Sequence, residues 1–96
     1  MDAPVRHNAE AARFEVETPD GTAFAAYQRA KGLIVFTHTE VPEALEGEGI
    51  GSRLAAAALD WARGEGVPVM PLCPFMAAYI RRHPAYRNLV MPGLRL

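Results

Sequence analysis

Three glycines in five residues, Gly47, Gly49 and Gly51, run directly into Ser52, Arg53 and an alanine-rich stretch, and this is the part of the chain best suited to holding an anion. The first amides of a helix have no partner inside it and lie at the positive end of its dipole. Glycines there let a phosphate approach the backbone with no Cβ in the way. Cys73 is a second candidate. It directly precedes Pro74, a residue type favoured in the first turn of a helix, so its thiol is expected beside a helix N-terminus, where the thiolate is favoured. His38 and Glu40 are a third: either can accept a proton, directly or through water. Plainer readings of the same residues are a glycine connector without a ligand, an inert core cysteine and an exposed strand-end carboxylate beside a structural histidine.

Two common phosphate loops do not fit. A P-loop needs a lysine followed by serine or threonine after its last glycine, and none stands at that spacing. The dinucleotide fingerprint needs a third glycine where this chain has Ser52 or Leu54, and it needs a βαβ unit. The segments ahead of this loop read as antiparallel strands instead.

Those segments must position the candidates. "RFEVE" (13–17) alternates apolar and charged residues as a strand does, Pro19-Asp20-Gly21 supplies a turn, and "TAFAAYQRA" returns. "LIVFTHTEV" (33–41) is the richest in β-branched and aromatic residues and ends at Pro42. The three form an expected antiparallel meander. Simple alternation puts Ile34, Phe36, His38 and Glu40 on one face of the last strand and Leu33, Val35, Thr37, Thr39 and Val41 on the other. A helix is expected from about Gly49 to Arg63, with Ile50, Leu54, Ala58 and Trp61 at helical spacing, closed by Gly64 and Gly66. "VPVMPLC" (67–73) reads as a short edge strand because of its prolines, and "PFMAAYIRRH" (74–83) as a second helix ending before Pro84.

Ninety-six residues, 50% hydrophobic and 22% charged, specify one globular domain over 1–96, with residues 1–12, mostly polar or alanine, expected to fray. A net charge of −1 with scattered Lys and Arg excludes an electrostatic footprint for nucleic acid. One cysteine excludes an intrachain disulfide, the opening residues lack a signal-peptide core, and no apolar run reaches the roughly 20 residues of a membrane span, so a cytoplasmic location is expected. His7, His38, His83 and Cys73 show no metal-ligand spacing.

"EGEGIG" (46–51) resembles the [QR]-x-x-G-x-[GA] pyrophosphate loop of the GNAT superfamily of acyl-CoA-dependent N-acyltransferases. Glu46 departs from that pattern, standing where glutamine or arginine is usual. Together with "HTEVPEALEGEGIGSRL" and "PVMPLCPFMAAYIRRHPAY", the chain from Leu33 to Tyr86 is similar to a small stand-alone GNAT-like family. The elements read from the residues follow the order β-β-β-α-β-α, and the resemblance implies an α/β (α+β) fold with a mostly antiparallel sheet and two helices. It implies an N-acetyltransferase that takes acetyl-CoA as cosubstrate and needs no metal. The pyrophosphate would rest on the amides of Gly47, Glu48, Gly49, Ile50, Gly51 and Ser52, with Arg53 nearby and the pantetheine near Val41. Glu40 would be the base, Cys73 would face the acyl-CoA sulfur as nucleophile or as lining, and Tyr79 would protonate the leaving thiolate. Packing of Tyr79 on Phe75, and of Arg81, Arg82 and His83 as a helix-end cluster, are the structural alternatives for those residues. The implied partners are acetyl-CoA and an amine acceptor on a protein or small molecule, with no nucleic acid or membrane, for a monomer or weak homodimer. A non-catalytic CoA-binding or protein-interaction module is the alternative.

Overall fold

A computed structural model of the chain describes residues 3–96. They form β1 (Arg6–Asn8), β2 (Arg13–Thr18), β3 (Gly21–Ala30), β4 (Leu33–Glu40), α1 (Ile50–Glu65), β5 (Val69–Pro71) and α2 (Pro74–Arg82), with 3₁₀ turns at Glu43–Leu45 and Pro84–Leu89. The strands make a single sheet in chain order. β1 to β4 pair antiparallel, as the meander requires, and β5 joins β4 in parallel after the α1 crossover. Among the described residues no helix is long and apolar enough to cross a membrane.

The sheet has one buried face. Phe14 pairs with Ala25 and Val16 with Ala23, while Tyr27 pairs with Phe36 and Ile34 with Val69, and all eight are buried. Residues directly opposite in a ladder share a face, so these side chains form one apolar surface. The buried stripes of α1 (Ile50, Leu54, Ala55, Ala58, Leu59, Ala62) and α2 (Met76, Tyr79, Ile80) complete a single core with it. The small alanines of α1 let the helix lie close to the strands. α1 starts one residue later than expected because Gly49 has φ 78° and serves as the cap. It runs past Gly64 to Glu65 and stops at Gly66, whose φ of 72° is left-handed and whose N–H donates to the Arg63 carbonyl.

β1 is an addition to the expected order, within the stretch expected to fray. His7 stacks on Phe14 with ring centroids 4.1 Å apart and hydrogen-bonds the Tyr27 hydroxyl at 2.7 Å, and Trp61 of α1 lies 4.8 Å from the His7 ring. On the outer face Arg6 donates to Glu15 at 2.8 Å, Arg13 donates to its other oxygen at 2.7 Å, and Asn8 adds a longer bond. Glu15 is only 3% exposed. The Arg13 hydrogen bond holds its carboxyl below the usual carboxylate range against the opposing effect of burial, with Arg6 and Asn8 assisting. Glu15→Gln is expected to destabilise the domain by about 2 kcal/mol at neutral pH, because charge-assisted bonds are lost at a covered site. The folded-state pKa lies below the unfolded one, so this stabilisation is complete above the ordinary carboxylate pKa and fades as pH falls through that range toward the folded value. Urea melts at neutral and acid pH should show the gap between wild type and variant closing in acid.

The β3–β4 ladder carries the irregularity that matters most for the site. Tyr27 pairs with Phe36, but Ala26 pairs with His38, so Thr37 is an extra residue on β4. A bulge of this kind reverses the facing of everything beyond it. Thr39 therefore pairs with buried Ala25 and faces the helices, whereas Glu40 pairs with Phe24 on the outer face. Simple alternation put His38 and Glu40 on the face of Ile34 and Phe36; the bulge corrects this and puts Thr39 there instead.

Candidate functional site

β4 and β5 are paired only at Ile34, Val35 and Phe36. The Phe36 carbonyl then accepts both the Leu72 amide (3.0 Å) and the Cys73 amide (3.1 Å), which closes the ladder. Pro71 has no N–H to offer. Beyond this point the strands part, and a cleft of about 560 Å³ opens between the end of β4, the glycine loop and the start of α2. Thr39, Glu40 and Val41 form one wall, Leu45, Glu46, Gly47, Gly49, Gly51 and Ser52 another, and Phe75 closes the floor.

The loop is built to leave amides free. Gly47 has φ 85° and Gly49 φ 78°, a region that side chains with a Cβ rarely adopt, and a Cβ at either would meet only open space. No side chain caps α1, and the Arg53 amide is the one that donates back to Gly49 O, at 3.1 Å. The amides of Ile50, Gly51 and Ser52 therefore stand at the open first turn. Gly51 has a different reason to be glycine: a Cβ there would lie 2.7 Å from Phe75 Cζ. The lining has no lysine or arginine, and Glu40 and Glu46 contribute carboxylates. An anion here would be held by backbone dipoles alone.

Among the expected loop residues, Gly47, Gly49, Gly51, Ser52 and Val41 line the cleft. Ile50 is outside the lining, and its side chain is 1% exposed in the core. Glu48 is exposed and outside the lining. Arg53 points away: its guanidinium donates to the Ala3 carbonyl of the segment leading into β1.

The expected chemical residues fall into separate places. Glu40 lines the cleft, and His38 Nε2 is 3.4 Å from its Oε2 on the exposed outer face, with the Phe24 ring 5.8 Å from the imidazole. Cys73 occupies the N-cap position of α2 as expected, yet it is 4% exposed and its thiol donates to Thr39 Oγ1 at 3.2 Å rather than to the helix. Tyr79 is not among the cleft residues. It is buried, stacked on His83 at 4.0 Å, and faces Tyr86 at 6.0 Å. Beside it, burial first, and second the Asp60 carboxylate that accepts a hydrogen bond from Tyr86, push the Tyr86 hydroxyl up to about 12. Arg81 and Arg82 lie in the last turn of α2, where cations are favoured by the negative end of the helix dipole. Thr39, Leu45 and Phe75 are the cleft residues that pattern reading missed. Nothing local to Thr39 signals the inserted Thr37 that turns it inward.

A one-sided α+β sheet has its parallel strand pair part beside a glycine-opened helix, and the cleft lies between them. A family model described as GCN5-related N-acetyl-transferase matches residues 13–89, and the chain belongs to that family. The proteins called Protein NATD1 from Gallus gallus and Homo sapiens are 37% identical to it over 54 residues, 56% of this chain and 49% and 48% of theirs. The match thus spans about half the length of those relatives. The NMR solution structure of a GCN5-like protein from Staphylococcus aureus superposes with a TM-score of 0.76 at 21% identity, covering 99% of this chain and 94% of that one. That likeness establishes the shared fold.

Proposed function

We propose that this domain binds acetyl-CoA in the cleft and transfers its acetyl group to an amine. One observation carries the reading: the strands part where a run of uncapped amides opens beside them, so a long ligand with a diphosphate at one end has both a slot and an anion seat. The loop fits the diphosphate because its glycines leave no Cβ between backbone and ligand, and the absence of basic side chains from the lining leaves the grip to the amides of Gly47 to Ser52. The exposed edge of β4 at Thr39 to Val41 offers unpaired peptide groups to an extended pantetheine, as an added strand would use them.

Glu40 would take the proton from the attacking amine, with His38 at hydrogen-bonding range as a second acceptor. Both reach the outer face of the sheet, so the amine would approach from there while the thioester lies on the helix side. Glu40→Gln is expected to flatten the limb of the pH–rate profile that reports the base, measured as thiol release from acetyl-CoA. An unchanged profile removes Glu40 from the mechanism.

The test is a calorimetric titration with acetyl-CoA, followed by thiol release assays against spermidine, free lysine and lysine-containing peptides. Binding with thiol release supports the transferase. Binding without release from any amine makes the domain a CoA-binding module, and an absence of binding removes the reading.

A further inference from the structure

The departing thiolate of an acyl transfer needs a proton, and Tyr79 is packed elsewhere. We infer that Thr39 delivers that proton, with the Cys73 thiol behind it as the source; the inference rests on the acyl-transfer reading above. Four carboxyl or hydroxyl side chains line the cleft: Thr39, Glu40, Glu46 and Ser52. Two are carboxylates, which accept, and Ser52 sits in the first turn of α1 beside the anion seat. Thr39 is the hydroxyl at the point where the strands part.

Its hydrogen-bonding role is set by its partner. Cys73 Sγ donates to Thr39 Oγ1 across the parted strands at 3.2 Å, and among the described residues no acceptor takes the Thr39 hydroxyl hydrogen. That hydrogen is left for the cleft. Cys73 itself is 4% exposed and outside the lining, so its proton reaches the cleft through Thr39. His38 and Glu40, the bases flanking Thr39 in sequence, are both on the opposite face of β4, and among the described residues no histidine hydrogen-bonds Cys73. Cys73 therefore has no imidazole to activate it as a nucleophile.

The chemistry balances without an external reagent. The amine nitrogen bonds to the thioester carbonyl carbon and loses a proton to Glu40. As the C–S bond breaks, sulfur leaves with the electron pair and takes the Thr39 hydroxyl proton while the Cys73 thiol proton moves to Thr39 Oγ1. Cys73 is left as thiolate; Glu40 releases its proton to solvent, and one returns to Cys73 through Thr39. The sum is amine plus thioester to amide plus thiol. A lone threonine is too weak an acid to supply a proton at neutral pH, whereas with Cys73 behind it the net transfer is from one thiol sulfur to another.

The experiment compares Thr39→Val, Thr39→Ser and Cys73→Ala with wild type, using acetyl-CoA and the amines named above, with a calorimetric Kd for acetyl-CoA in each protein. Thr39→Val is expected to lower kcat about 100-fold with the Kd for acetyl-CoA nearly unchanged, and Thr39→Ser to restore most of it. Cys73→Ala should lower kcat similarly, and the double variant should fall no further, since both act in one relay. Mass spectrometry after incubation with acetyl-CoA should find Cys73 unmodified. Wild-type transfer that survives Thr39→Val and Cys73→Ala, failure of serine to restore it, or acetyl on Cys73 would each overturn this assignment and leave the transferase reading standing. Binding without transfer by the wild type overturns both.

Discussion

Gly49→Glu is expected to keep the fold while weakening acetyl-CoA binding by about 100-fold or more. Gly49 sits at φ 78° as the cap of α1, and a Cβ there would point into open space rather than into the core. The side chain would thus be accommodated sterically but would carry a negative charge to the helix end where the diphosphate is proposed to rest, reversing the favourable dipole interaction. The left-handed backbone adds about 1–2 kcal/mol of strain to the folded state, enough to lower the melting temperature without abolishing folding. Calorimetry gives the affinity and thermal unfolding the stability. A variant binding acetyl-CoA as tightly as wild type would move the diphosphate away from this loop.

Phe36→Ala is expected to cost about 4 kcal/mol, in the range for removing a buried aromatic side chain, and for a domain of this size that consumes much of the margin. Phe36 is 1% exposed. It pairs with Tyr27 just before the bulge, pairs with Pro71 on β5, and offers its carbonyl to both Leu72 and Cys73. A cavity there would loosen the seam that sets where the strands part. Denaturant melts should show a sharply lowered midpoint, and acetyl-CoA in excess should recover part of it by binding the native state. A loss below about 1 kcal/mol would mean the core around Phe36 closes over the cavity.

Much of the architecture was legible because it is written in local chemistry. The alternation of "RFEVE", the Pro19-Asp20-Gly21 turn and the β-branched run from Leu33 specify an antiparallel meander wherever they occur, and the observed ladders follow it. The alanine run specifies a helix, and glycines at its head specify an open N-terminus; both lie where expected, to within a residue or two. β1 was not legible, since what orders it is His7 on Phe14, Tyr27 and Trp61 and Arg6 on Glu15, contacts between residues far apart in the chain.

The residue types of the site, its glycine loop, its strand-end carboxylate and its cysteine at the head of the second helix, were determined by sequence alone, because turn, cap and propensity preferences act over a few residues. Which of them meet was decided only in three dimensions. The single unpaired Thr37 turns Thr39 toward Cys73 and sends His38 and Glu40 to the other face, and packing against His83 takes Tyr79 away from the cleft. A one-residue slip in a ladder leaves local propensity untouched yet exchanges the two faces of a strand, and only the partner strand records it.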